Sequence, residues 1–165
     1  MITADYHMHT NFSSDSDASP ESMALGAVRK GLKQICITDH QDWDYPEDDQ
    51  QFRIDMDRYI PAVQELKEKF KDQISVGLGV EIGFQQQLGE YYRNFTASYP
   101  FDFVIGSTHV VEGRDPYNRV LFETRSDAEV YEKSFVETWE NIRIIQDFDV
   151  LGHMDYIVRY GRNQA

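Results

Sequence analysis

Five histidines, His7, His9, His40, His109 and His153, carry the chemistry that can be read from this chain. They sit in YHMHT, ITDH, GSTHVV and LGHMD, at or just past the end of runs that read as strands, and no helical pattern holds one. His7 and His9 stand two apart, and a strand puts side chains i and i+2 on one face. Both rings then point the same way, and a metal ion gives a reason for it, since neutral imidazole is a common metal ligand. Glu81, in GVEIGF, is a carboxylate inside an apolar strand, where acids are rare unless paired. Asp15, Asp39 and Asp155 stand nearby in sequence. Taken singly, each has a plainer reading: a capped turn, a satisfied buried acid, a hydrogen-bonded core histidine. Together, strand-end sites with one ligand chemistry point to a metal centre.

Other chemistries lack their motifs. Gly77-x-Gly79 has no third glycine at the required offset, and neither a phosphate-cradling loop nor a G-x-S-x-G elbow is present. Cys36 lies in an apolar run and reads as core rather than nucleophile. The Phe135/Trp139 stripe reads as helix packing, and the acidic run Asp42 to Asp49 as a solvated loop rather than a second metal site.

The elements that must position these residues alternate. Residues 4–10 read as a first strand. Ser19-Pro20-Glu21 starts a helix, with a capping hydroxyl and proline at the first helical position. Residues 33–40 are a second strand. Ile60, Val63, Leu66 and Phe70 outline a helix, and residues 74–84 a third strand weakened by glycines. A short, weakly patterned helix over about 86–98 leads to a fourth strand at 101–111. Ser126 and Glu129 form a capping box ahead of a long amphipathic helix, and residues 148–158 are a fifth strand. The alternation predicts βαβ units with right-handed crossovers and a parallel sheet or barrel, whose catalytic groups collect at the C-terminal strand ends. Residues 41–58 form a polar loop long enough to act as a lid.

Length suits one domain, and 41% hydrophobic residues suit a folded core. A net charge of −13 opposes binding to a nucleic-acid backbone. No run is long and apolar enough for a membrane span, and no signal-peptide pattern is present. The single cysteine excludes an internal disulfide and fits a cytoplasmic setting. Oligomeric state is left open.

In order, YHMHT, ITDH, GVEIGF, GSTHVV and LGHMDYIVRY resemble the PHP (polymerase and histidinol phosphatase) superfamily over essentially the whole chain. Asp15, the DPYN stretch after His109 and the LGHMDYIVRY segment resemble its monofunctional histidinol-phosphate phosphatases. The resemblance implies an α/β fold, a distorted (β/α) barrel, with a trinuclear centre of Zn, Mn or Fe. It implies that His7 and His9 hold the first ion, that Glu81 bridges to the second, held by His109 and His153, and that Asp15 and His40 hold the third. It implies hydrolysis of a small phosphorylated substrate, L-histidinol phosphate, in histidine biosynthesis by a metal-bound hydroxide, with Arg159 meeting the phosphate. A nuclease or other phosphoesterase of the superfamily, and an inactive metal-binding half-barrel, are the alternatives. Family members carry further strands and a late Asp-x-His, which does not follow Gly161-Arg162-Asn163-Gln164-Ala165. Residues 1–165 are therefore expected to be the N-terminal portion of a PHP domain, with about five of the barrel strands implied by the resemblance.

Overall fold

Ser19 opens the first helix as its chemistry requires: its side chain accepts from Ser22 N, and Pro20 takes the first turn, where no N–H is needed. The computed structural model describes residues 2–46 and 48–162; the polar segment 163–165 and Glu47 of the acidic run lie outside the described residues. The elements are β1 (Ala4–Asp5), α1 (Pro20–Arg29), β2 (Gln34–Ile37), β3 (His40–Gln41), α2 (Met56–Phe70), β4 (Ser75–Gly83), α3 (Gly89–Ser98), β5 (Phe103–Ser107), α4 (Asp127–Ile144) and β6 (Val150–Leu151), then a 3-10 segment over Tyr156–Tyr160.

All strand pairs are parallel. The order is β1-β2-β4-β5-β6, and β3 continues beside β4 past the end of β2. Successive strands add on the same side, without the reversal of a doubly wound sheet, so the sheet grows as a barrel does. This is the expected α/β architecture of an incomplete barrel. The core is built from Ile35, Ile37, Val76, Val80 and Ile82 of the sheet against Ala24 and Ala27 of α1, Tyr59 and Val63 of α2, and Tyr92 of α3.

The strands are shorter than their patterns suggest, and polar contacts explain why. Residues 4–10 join the ladder only at Ala4–Asp5. Beyond it, Met8 N donates to the Thr38 hydroxyl, and Thr38 N donates to Met8 O. The expected strand 33–40 splits at Thr38-Asp39, where Asp39 turns its carboxylate to Thr10 and Ser13. Tyr59 Oη lies 2.9 Å from both Ile37 O and Gly79 O, and Tyr92 Oη lies 2.9 Å from Gln41 O and 2.8 Å from Gly83 O. These hydroxyls reach carbonyls on both sides of the split. β4 is the longest strand despite its glycines, which close approach demands: a Cβ at Gly79 would lie 2.7 Å from Cys36 Sγ and 2.8 Å from Phe103 O. Cys36 is buried, as expected of a core residue.

Three expectations need larger correction. Only Val150–Leu151 of the segment 148–158 is strand; the β-branched run after His153 coils into the 3-10 segment, because Ile157 is buried there against Val111, Leu121, Phe122 and Val130. The Phe135/Trp139 stripe is not packing: these residues are 45% and 60% exposed, and α4 buries Val130, Ser134, Thr138 and Asn141 instead. The acidic run is solvated at Asp44, Asp48 and Asp49, but Asp42 is buried. Nor is the 41–58 segment a freely solvated loop, since Tyr45 within the run and Ile54 beyond it are buried.

Candidate metal centre

The register of the central strands sets the site. β3 pairs His40 with Glu81, and β4 pairs Glu81 with Ile105, so the carboxylate of β4 sits between the His40 and His109 segments. The His7–His9 segment is tied down by Asp39, which accepts from Thr10 N at 2.6 Å, Thr10 Oγ1 at 2.7 Å and Ser13 Oγ at 2.8 Å. His153 follows β6, whose pairing with β5 brings it beside His109.

All five histidines converge on Glu81, which is fully buried. Its Oε2 lies 3.0 Å from His7 Nε2, 2.9 Å from His9 Nε2 and 3.7 Å from His40 Nδ1. Its Oε1 lies 3.2 Å from His109 Nε2 and 2.9 Å from His153 Nε2, and accepts from Ser107 Oγ at 2.6 Å. Asp15, at the rim, lies 3.1 Å from His9 Nδ1 and 3.6 Å from His40 Nε2. Asp42 lies 2.6 Å from His109 Nδ1.

This geometry fits cations. Four groups have ligand atoms mutually within 4.8 Å: His7/His9/Glu81, His9/Asp15/His40, His40/Asp42/His109 and Glu81/His109/His153. His9 Nε2 is buried and close to Glu81, yet in no hydrogen-bonding geometry among the described residues. A buried nitrogen without a hydrogen bond is costly, and coordination would satisfy it. Imidazole and carboxylate donors without thiolate suit Zn, Mn or Fe.

The electrostatics reflect the crowding. Burial would raise the Glu81 carboxyl, but the charge and hydrogen bonds of His109, with His153 and His7, hold it well below the usual range. Burial opposes a charged His9, yet its bond to Asp15 and the charges of Glu81 and Asp15 beside it raise the ring to about 10. His40 and His109 are raised against the same opposition, chiefly by Asp42. Asp42, whose burial favours the neutral acid, is brought down to about 2 by His109 and His40.

The centre lies in a cavity of about 800 Å³ that also admits Tyr45, Phe52, Asp115, Tyr117, Tyr156, Arg159 and Tyr160. Thus the structure brings His7, His9, Asp15, His40, Glu81, His109 and His153 together, with Arg159 at the same cavity. Asp155 is exposed and does not line it. Sequence reasoning missed Asp42, whose signal was its position two residues after His40 in an extended segment, hence on the same face. It also missed Ser107 at a strand end, Tyr45 in a loop, and Asp115 and Tyr117 at a single 3-10 turn, features too short to show a period.

Comparison with known proteins agrees. Over 162 residues, 98% of this chain and 60% of the relative, the sequence is 31% identical to a histidinol-phosphatase of Lactococcus lactis subsp. lactis. It is 35% identical to a probable histidinol-phosphatase of Clostridium acetobutylicum, over 94% of this chain and 58% of that one. A crystal structure of histidinol phosphate phosphatase from Lactococcus lactis subsp. lactis, complexed with Zn, L-histidinol and phosphate, superposes with a TM-score of 0.93 at 29% identity, covering 98% of this chain and 61% of that chain. The chain thus spans about 60% of the length of these relatives. Residues 5–165 match the PHP domain, and with the strand-end cluster of histidines around Glu81 this settles the assignment: the chain belongs to the PHP domain family.

Proposed function

We propose that this site hydrolyses a phosphomonoester, L-histidinol phosphate, with divalent cations held by its histidines and carboxylates. One observation carries the reading: a single buried carboxylate has imidazoles on both of its oxygens. His7 and His9 with Glu81 would hold one cation, His109 and His153 with Glu81 a second, and Asp15 with His40 a third. Cations there supply Lewis-acid charge for a phosphoryl group and lower the pKa of water. Support for the substrate comes from the two relatives named for this activity and from the solved relative that binds Zn, L-histidinol and phosphate.

The chain's own residues do the rest. Arg159 is the one Arg or Lys among the described residues lining the cavity, with its guanidinium 5.4 Å from the centre of the Tyr156 ring. It would meet the phosphate through a bidentate pair. Tyr45, Tyr117 and Tyr160 offer aromatic faces to an imidazole side chain, and Asp115, lining the same cavity, offers a carboxylate to an ammonium group. The lone buried cysteine fits a cytoplasmic enzyme, and the net charge of −13 fits a small substrate better than a nucleic acid. The test is phosphate release from L-histidinol phosphate by zinc- or manganese-loaded protein. His9→Ala is expected to abolish it, and a His9→Ala variant with wild-type turnover would refute the reading.

A further inference from the structure

Asp42 is a buried carboxylate that the proposed hydrolysis does not use, and it stands directly behind two of the histidines. It is 2% exposed. Its Oδ2 lies 2.6 Å from His109 Nδ1 and its Oδ1 lies 3.4 Å from His40 Nδ1. The opposite nitrogens face the centre: His109 Nε2 is 3.2 Å from Glu81 Oε1, and His40 Nε2 is 3.6 Å from Asp15 Oδ2. The backbone reserves the space for this carboxylate. Asp42 N donates to Phe52 O at 2.9 Å, and a Cβ on Gly83 would lie 2.4 Å from Asp42 Cγ.

Asp42, His40 and His109 also have the types and proximity of a cation site of their own. The orientation decides against it. His109 turns Nε2 to Glu81 and gives Nδ1 to Asp42 at 2.6 Å, a short hydrogen bond.

We propose that Asp42 is a positioning residue of the metal centre, holding the Nδ1–H of His109, and secondarily that of His40, so that both rings turn Nε2 toward the cations. The proposal rests on the cation-binding reading of the site. It follows the general rule that a ligating histidine gives its second nitrogen to a carboxylate, which fixes the tautomer and the ring plane. One carboxylate serving two rings also couples them, because Asp42 directly follows β3, which holds His40, while His109 lies two residues past the end of β5.

The experiment pairs zinc competition titration with long-range proton–nitrogen spectra of the histidine rings. In the zinc-loaded wild type, His109 is expected to keep a proton on Nδ1, far downfield as a short hydrogen bond requires. Asp42→Ala is expected to lose that resonance and to weaken zinc binding by about 10–100-fold. Asp42→Asn keeps the shape without the charge. It is expected to shift the resonance upfield and to lose less affinity, and it carries the test if the alanine variant does not fold. The proposal requires both readouts to change; either one remaining at its wild-type value overturns it. Wild-type protein that binds no zinc would instead overturn the cation reading itself, and that outcome is visible before any variant is made.

Discussion

Asp39 and Glu81 are both fully buried carboxylates, yet their partners give them different work. Asp39 accepts three hydrogen bonds from Thr10 and Ser13 and pairs with no histidine ring among the described residues, so it ties the His7–His9 segment to the sheet. Glu81 meets imidazoles on both oxygens. Asp39→Asn turns an amide N–H toward buried donors and should cost about 1–3 kcal/mol of stability in urea unfolding. Its zinc content should stay near wild type. Glu81→Gln removes the charge that the cations would share, and elemental analysis should show it stripped of most of its zinc. If Glu81→Gln held wild-type zinc, the cations would have to bind elsewhere.

Among the elements, α4 shows how a correct helix can be read with the wrong face inward. Its start was legible: Ser126 accepts from Glu129 N, and the Glu129 side chain accepts from Ser126 N, a reciprocal box. Its orientation was not. The inner face carries Ser134, Thr138 and Asn141, with Thr138 Oγ1 donating to Thr108 Oγ1 at 2.9 Å, while Phe135 and Trp139 face outward. Trp139→Ala should therefore change unfolding free energy by only about 0.5 kcal/mol. Ile145→Ala, at a fully buried position just past the helix, should cost about 2–5 kcal/mol. Chemical denaturation of the two variants checks this, and equal costs would show that the outer stripe is packed after all.

For the whole molecule, the crowded charges make stability depend on pH. His9 is raised from 6.5 to about 10, so its contribution is full below pH 6.5 and is lost as pH climbs through 10. Asp42 is lowered from 3.8 to about 2, so its contribution is present above pH 3.8 and is lost as pH falls through 2. Calorimetry in EDTA should show the melting temperature declining from pH 7 to 10, and His9→Gln should flatten that decline. Added zinc must displace ring protons, so its stabilising effect should grow from pH 6 to pH 8. At a concentration 100 times its dissociation constant it should add about 2.7 kcal/mol. An alkaline arm unchanged in His9→Gln would mean that Asp15 and Glu81 do not hold the proton on this ring.

The sequence by itself determined the class of fold and the chemistry of the site. Alternating periods of two and 3.6 residues mark strands and helices, and ligand types such as His7, His9 and Glu81 announce themselves where apolar runs end. Tertiary structure alone decided where the ladders stop, which face of α4 turns inward, and that Asp42 leaves its acidic run to stand behind His109 and His40. The reason is physical. Periodicity is a local property written along the chain, whereas Asp42 is buried through the β3–β4 register and the space left at Gly83. The 3-10 turn at Ile157 likewise depends on Val111, Phe122 and Val130, which are distant in sequence and meet only in the fold.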